Sequence, residues 1–176
     1  LEFASGEMRL RFDASEFDLV VSIEPHAVVG AGVRTEPLVL RNPDELLSRE
    51  EAAGLLELRA QDRNCLILQN GEPGEFSRLA AAYSYLEDAG YRVYASTNFD
   101  QQGVFPAVEY YNAFDFIVTG AGYNSFWECV FLDKEAVFVP MPRVFEDQRE
   151  RVETCSDYHF EVNGADQLVR LLREFG

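Results

Sequence analysis

The residues with the clearest chemical reach lie in "TGAGYNSFWE", Thr119 to Glu128. Gly120 and Gly122 leave the backbone bare, Asn124 and Ser125 offer short polar side chains, and Glu128 follows about one helical turn later. Between an apolar strand and a helix, such a stretch suits an anion, because the first N–H groups of a helix lack intrahelical partners and carry the positive end of its dipole. The same residues also suit a tight turn in which Asn124 is only an N-cap. Two other loops carry comparable chemistry. "QNGEPGE", Gln69 to Glu75, holds Gly71 and Gly74, where a ligand could approach the backbone closely. "PMPRVFEDQ", Pro140 to Gln148, holds the Asp147-Gln148 pair and Arg143, whose guanidinium matches phosphate oxygens bidentately.

These loops need a scaffold that gathers them. From Cys65 the chain alternates two periods: a buried-strand run to Leu68, then Phe76, Leu79, Ala80, Tyr83 and Leu86 at helical spacing, then Gly90 and the strand "YRVYAS". A second unit follows, with a short helix from Pro106, a strand Phe116 to Thr119, a helix Asn124 to Leu132 and a strand Ala136 to Val139. Helices around Asp147 to Cys155 and Asp166 to Phe175 close the chain, the last with Leu168, Leu171, Leu172 and Phe175 on one face. The fold class is therefore α/β, a Rossmann-like parallel sheet with helices on both faces, which places ligands at the carboxyl ends of its strands. All three loops fall there. A dinucleotide fingerprint is excluded, since its third glycine position is Ser125 here, and no G-x-x-x-x-G-K-[ST] loop exists. Upstream, Ser48-Arg49-Glu50-Glu51 has capping-box spacing and predicts a helix to about Leu58. Asp18 to Ile23 reads as a short strand, and the residues after it as a connector.

Composition narrows the function. A chain of 176 residues suggests one domain. A net charge of -16 sets nucleic acid aside as a partner, since phosphate-backbone binding rests on clustered Lys and Arg. Lys134 is the only lysine. Cys65, Cys129 and Cys155 are odd in number and widely spaced, which reads as reduced thiols in a cytoplasmic protein rather than a disulfide frame or zinc site. No apolar run approaches the ~18 residues of a membrane span. "LEFASGE" at residues 1–7 has the look of a cloning scar and is left out of the fold reasoning. His26 and His159 are weak candidates for a general base.

The stretch "VTGAGYNSFWECVFLDKEAVFVPMPRVFEDQ" resembles the carboxyl-terminal, donor-binding half of GT-B glycosyltransferases, of the family 28 and UDP-glycosyltransferase-like kind. It is similar to the plant-type consensus "HCGWNSxxE" followed by "P…DQ". The resemblance implies one half of a GT-B fold over residues 36–176, with residues 1–35 a segment leading from a missing amino-terminal domain. It implies diphosphate binding by Gly71, Gly120, Gly122, Asn124 and Ser125, with Arg143 making up for the motif histidine that Gly120 replaces. Glu128 falls on the ribose-binding glutamate, and Asp147 and Gln148 on the pair that touches the donor sugar. Arg151 stands where the plant-type pattern has asparagine. The implied activity is inverting transfer from a nucleotide-sugar, UDP-linked by preference, with no metal and no other cofactor, completed by an acceptor domain or a separate acceptor subunit. A non-catalytic nucleotide-sugar binding module, or a hydrolase or epimerase on the same scaffold, are the alternatives.

Overall fold

The protein is described from a computed structural model, which covers residues 2–5, 8–11, 13–25, 32–98 and 103–175. The strands are β1 Glu2–Ser5, β2 Met8–Arg11, β3 Val21–Ser22, β4 Val33–Arg34, β5 Asn64–Leu68, β6 Arg92–Ser96, β7 Phe116–Gly120 and β8 Ala136–Val139. The α-helices are α1 Arg49–Leu55, α2 Pro73–Ala82, α3 Tyr85–Asp88, α4 Tyr123–Phe131, α5 Gln148–Cys155 and α6 Gly164–Phe175. Four strands form one parallel sheet in the order β6-β5-β7-β8. The chain runs outward from β5 to β6 and then returns to β7 on the other side of β5. The order therefore reverses between β5 and β7, and the crevice at their carboxyl ends is where such sheets hold ligands.

Alternation along β5 separates the two faces. Leu66 and Leu68 pack with Ala52 and Ala53 of α1, Tyr111 and Cys129, whereas Cys65 and Ile67 pack with Leu79 of α2 and Leu86 of α3. Every residue of β5 is buried, as a strand covered by helices on both sides must be. A third cluster joins α4 to α5: Trp127 is fully buried edge-on to Phe126, Tyr158 and Phe160.

Capping explains where several helices begin. The Ser48 side chain accepts from the Glu51 N–H at 3.3 Å, while Glu51 accepts from the Ser48 N–H at 3.0 Å. That helix stops at Leu55, short of the expected Leu58, because Glu57 takes a left-handed φ of 56°. The single expected helix through Leu86 breaks at Tyr83, where the Ser84 hydroxyl bonds the Ala81 carbonyl and competes with the helix. The expected helix from Pro106 is a 3-10 helix, Ala107–Ala113, in which Val, two Tyr and Asn are poor α-formers. On α6, Leu172 and Phe175 are exposed at 55% and 59%, so the apolar face read from the sequence is only partly covered.

The segment before residue 40 carries short strands of its own. Residues 1–7, set aside as a scar, include β1, which pairs antiparallel with β2. Strand β3 pairs parallel with the two-residue β4, so the expected strand Asp18 to Ile23 shrinks to Val21–Ser22. Beyond it, Pro37 and Val39 are buried, and side chains rather than a sheet partner secure the backbone. The Glu36 N–H donates to Gln167 Oε1 at 2.7 Å and the Leu38 N–H to the Tyr123 hydroxyl at 2.7 Å. Asn163 uses both ends of its amide: Oδ1 accepts from the Val39 and Ala165 N–H groups, and Nδ2 donates to Val39 O and Asn42 Oδ1.

Candidate functional site

The crevice between β5 and β7 is built by three loops. After β5, Gln69 is buried and its Nε2 donates to Glu75 Oε2 at 2.8 Å. Glu75 sits in the first turn of α2 and also accepts from the Glu72 N–H at 3.1 Å, a capping box that turns its carboxylate inward. From the loop after β8, Arg143 meets it bidentately, Nη1 on Oε1 and Nη2 on Oε2, both at 2.7 Å. The Arg143 guanidinium holds the Glu75 carboxyl down at about 2, against burial, with help from the Glu72 N–H and Gln69.

This clasp accounts for two glycines of the sequence reading. A Cβ on Gly71 would lie 2.2 Å from Glu75 Oε2 and 2.4 Å from Arg143 Nη2, and one on Gly120 would lie 2.3 Å from Gln69 Oε1. Both positions thus admit the clasp's own side chains. Gly71, Gly120 and Arg143 lie around this one clasp, and the Arg143 fork is engaged by Glu75. The signal that could have revealed the partner is the Glu72-x-x-Glu75 capping spacing, which leaves one carboxylate at a helix start needing donors.

The second cluster surrounds the start of α4. Gly122 is its N-cap, with extended backbone and no side chain to cap the helix. The Tyr123 N–H donates to Glu146 Oε1 at 3.1 Å, while the Asn124 and Ser125 N–H groups and side chains have no hydrogen-bond partner among the described residues. Asn124 is exposed and Ser125 half-buried. Helix α4 therefore presents two free amides and two short polar side chains at the carboxyl end of β7, beside the switch point. A cleft of about 540 Å³ runs along Pro140 to Arg149.

Glu128 lies one turn into α4 and is 7% exposed. Its Oε2 accepts from the Tyr111 hydroxyl at 3.3 Å, and its Oε1 makes no hydrogen bond among the described residues. Burial pushes its carboxyl up to about 7, with the Tyr111 bond pulling the other way. Nothing in the spacing of the sequence singles out Tyr111 as its partner.

Asp147 and Gln148 have structural duties. Asp147 is the N-cap of α5, its Oδ1 accepting from the Glu150 N–H at 2.9 Å, and its Oδ2 makes no bond among the described residues. Gln148 is 4% exposed, accepts from the Met141 N–H and donates to Glu146, each at 2.9 Å, so it fixes the loop after β8 against α5. A Cβ on Gly122 would lie 3.8 Å from Gln148 Nε2, which brings the pair up to the α4 start. Arg151, which stands at the motif's asparagine position, forms an ion-paired cluster below it with Glu146 and Glu24. His159 is exposed beyond the far end of α5, and His26 lies outside the described residues.

A family model described as glycosyltransferase family 28 C-terminal domain matches residues 50–162, from α1 to the segment after α5. Comparison with curated proteins and with solved structures returns no match.

Proposed function

Since the chain belongs to the glycosyltransferase family 28 C-terminal domain family and is thus a nucleotide-sugar-binding domain of a glycosyltransferase, we propose that it holds a UDP-sugar for inverting, metal-independent transfer. The observation that carries this reading is the α4 start, where the Asn124 and Ser125 amides have no partner among the described residues, at the carboxyl end of β7 with Glu128 one turn further on. Such a start neutralises a leaving diphosphate through fixed N–H groups and the helix dipole, a preorganised contribution needing no metal. Oε1 of Glu128, without a partner among the described residues, is available to ribose hydroxyls, and Oδ2 of Asp147 likewise to the sugar. The acceptor and the general base would come from an amino-terminal domain or a separate subunit, acting in the cytoplasm.

Titration calorimetry of UDP, GDP, dTDP and CMP against the purified protein tests the reading. UDP is expected to bind, and Glu128→Ala to weaken it by roughly tenfold or more, the scale of a lost hydrogen bond to a charged group. No affinity for any of the four nucleotides would sink the donor-site assignment.

A further inference from the structure

The α4 start already carries an anion. Glu146 reaches it from the loop after β8: Oε1 accepts from the Tyr123 N–H at 3.1 Å and from Arg151 Nη1, and Oε2 accepts from Gln148 Nε2 at 2.9 Å. A helix-start amide, a guanidinium and a carboxamide are also the donors that suit a phosphate oxygen. The carboxylate therefore stands where the proposed diphosphate has to bind.

Arg151 lies beneath it. Nε and Nη2 both donate to Glu24 Oε1, at 3.1 and 2.5 Å, and Nη1 donates to Ala121 O at 2.8 Å as well as to Glu146. The two N–H groups of Nη1 are thus divided between a backbone carbonyl at the end of β7 and Glu146. If Glu146 leaves, one N–H is released toward the helix start while the pairing with Glu24 stays intact. Exposure says which partner can leave: the Glu146 side chain is 27% exposed and that of Arg151 only 5%. Arg143, the cation nearest in the sequence reading, is engaged by Glu75 and leaves this role open.

We propose that Arg151 is the cation that meets the donor's diphosphate, and that Glu146 holds its place in the unliganded protein and swings into solvent when the donor arrives. This rests on the donor-site reading above. A donor added beside a Glu146 that stayed would set diphosphate, Glu146 and Glu24 around one guanidinium, three anionic groups repelling one another. Exchange keeps the charge around Arg151 balanced. Donor affinity then reflects the difference between two anions, reduced by the fraction of molecules in which Glu146 occupies the site.

The test titrates UDP and, separately, inorganic pyrophosphate into the wild type and Glu146→Gln, with circular dichroism confirming the fold. Glutamine keeps the shape and can still accept from Tyr123, but competes without charge. Both ligands are expected to bind Glu146→Gln about tenfold tighter, the scale of one charge-assisted contact no longer displaced. Adding Arg151→Gln together with Glu24→Gln, so that neither buried charge is orphaned, is expected to abolish that gain while the protein stays folded. Equal affinity of the wild type and Glu146→Gln for UDP overturns the exchange and leaves the donor site standing. Binding by both proteins, about tenfold tighter in Glu146→Gln, supports both readings. If neither protein binds UDP, GDP, dTDP, CMP or pyrophosphate, the donor site fails and the exchange fails with it.

Discussion

Replacing Glu128 by glutamine removes a charge that the fold holds among apolar neighbours while keeping the side chain's shape and its ability to accept from Tyr111. The carboxyl titrates at about 7 in the folded protein against an ordinary 4.5. Because the folded value is raised, the wild type has its full stability below 4.5 and loses it as pH rises through 7. Raising this carboxyl from 4.5 to about 7 corresponds to about 3 kcal/mol at alkaline pH, with about 1 kcal/mol of it already lost at pH 5. Glutamine does not titrate, so Glu128→Gln should gain on the wild type by about 2.5 kcal/mol between pH 5 and 8.5. Urea unfolding of both proteins across that range, with equal m-values confirming a shared two-state transition, measures the difference directly. A stability gap that does not change with pH would refute the reasoning, since it would mean that Glu128 is solvated or permanently paired. On the proposed function the same group makes a second readout: ribose hydroxyls donating to the carboxylate favour its charged form, so nucleotide binding near pH 7 should release protons to the buffer.

Other parts of the structure give further expectations. Arg143→Gln leaves the Glu75 carboxylate with only Gln69 and Glu72 as donors, and should cost roughly 2 to 4 kcal/mol in urea unfolding, less than for a wholly orphaned buried charge. In the wild type the Glu75 contribution is present in full above 4.5 and lost as pH falls through about 2, so acid unfolding should begin at a higher pH in Arg143→Gln. Tyr123→Phe removes the acceptor of the Leu38 N–H and should destabilise by about 1 kcal/mol, with faster hydrogen exchange at that amide. The net charge of -16 predicts that added salt raises the melting temperature by screening self-repulsion, and a melting temperature falling with salt would contradict this.

Much of the architecture was legible because it depends on local pattern. The buried run Cys65 to Leu68 and the run Phe116 to Thr119 could only be covered strands, and the helical spacing of Phe76, Leu79 and Tyr83 lay between turn residues. The gathering of Gly71, Gly120 and the loop after β8 followed from strand order alone. What stayed hidden depends on pairs distant in sequence. Arg143 meets Glu75 across 68 positions, and Arg151 meets Glu24 across 127. No periodicity announces either pairing, and both decide which cations are free. Glu128 was visible by its spacing, but its raised pKa comes from burial and its hydrogen bond from Tyr111, 17 positions away. Asp147 shows a further limit: an acidic residue before a helix serves as N-cap whether or not it also touches a ligand, so its type could not separate the two.

Asn163 and Gly164 form an Asn-Gly pair, the dipeptide in which the glycine nitrogen most readily attacks the preceding side-chain amide and converts asparagine to an acid. The fold restrains both reactants. The Asn163 amide is bonded at Oδ1 and Nδ2, and the Gly164 N–H donates to Pro37 O at 3.0 Å. In the unfolded chain neither restraint exists. An acid at this position could no longer donate to Val39 O or Asn42, so a chain altered there would refold without the fastening of its leading segment. Time spent unfolded would thereby be recorded as permanent chemical damage at one site, and peptide mapping of chains aged in urea, beside folded controls, should find the change in the first set and not in the second.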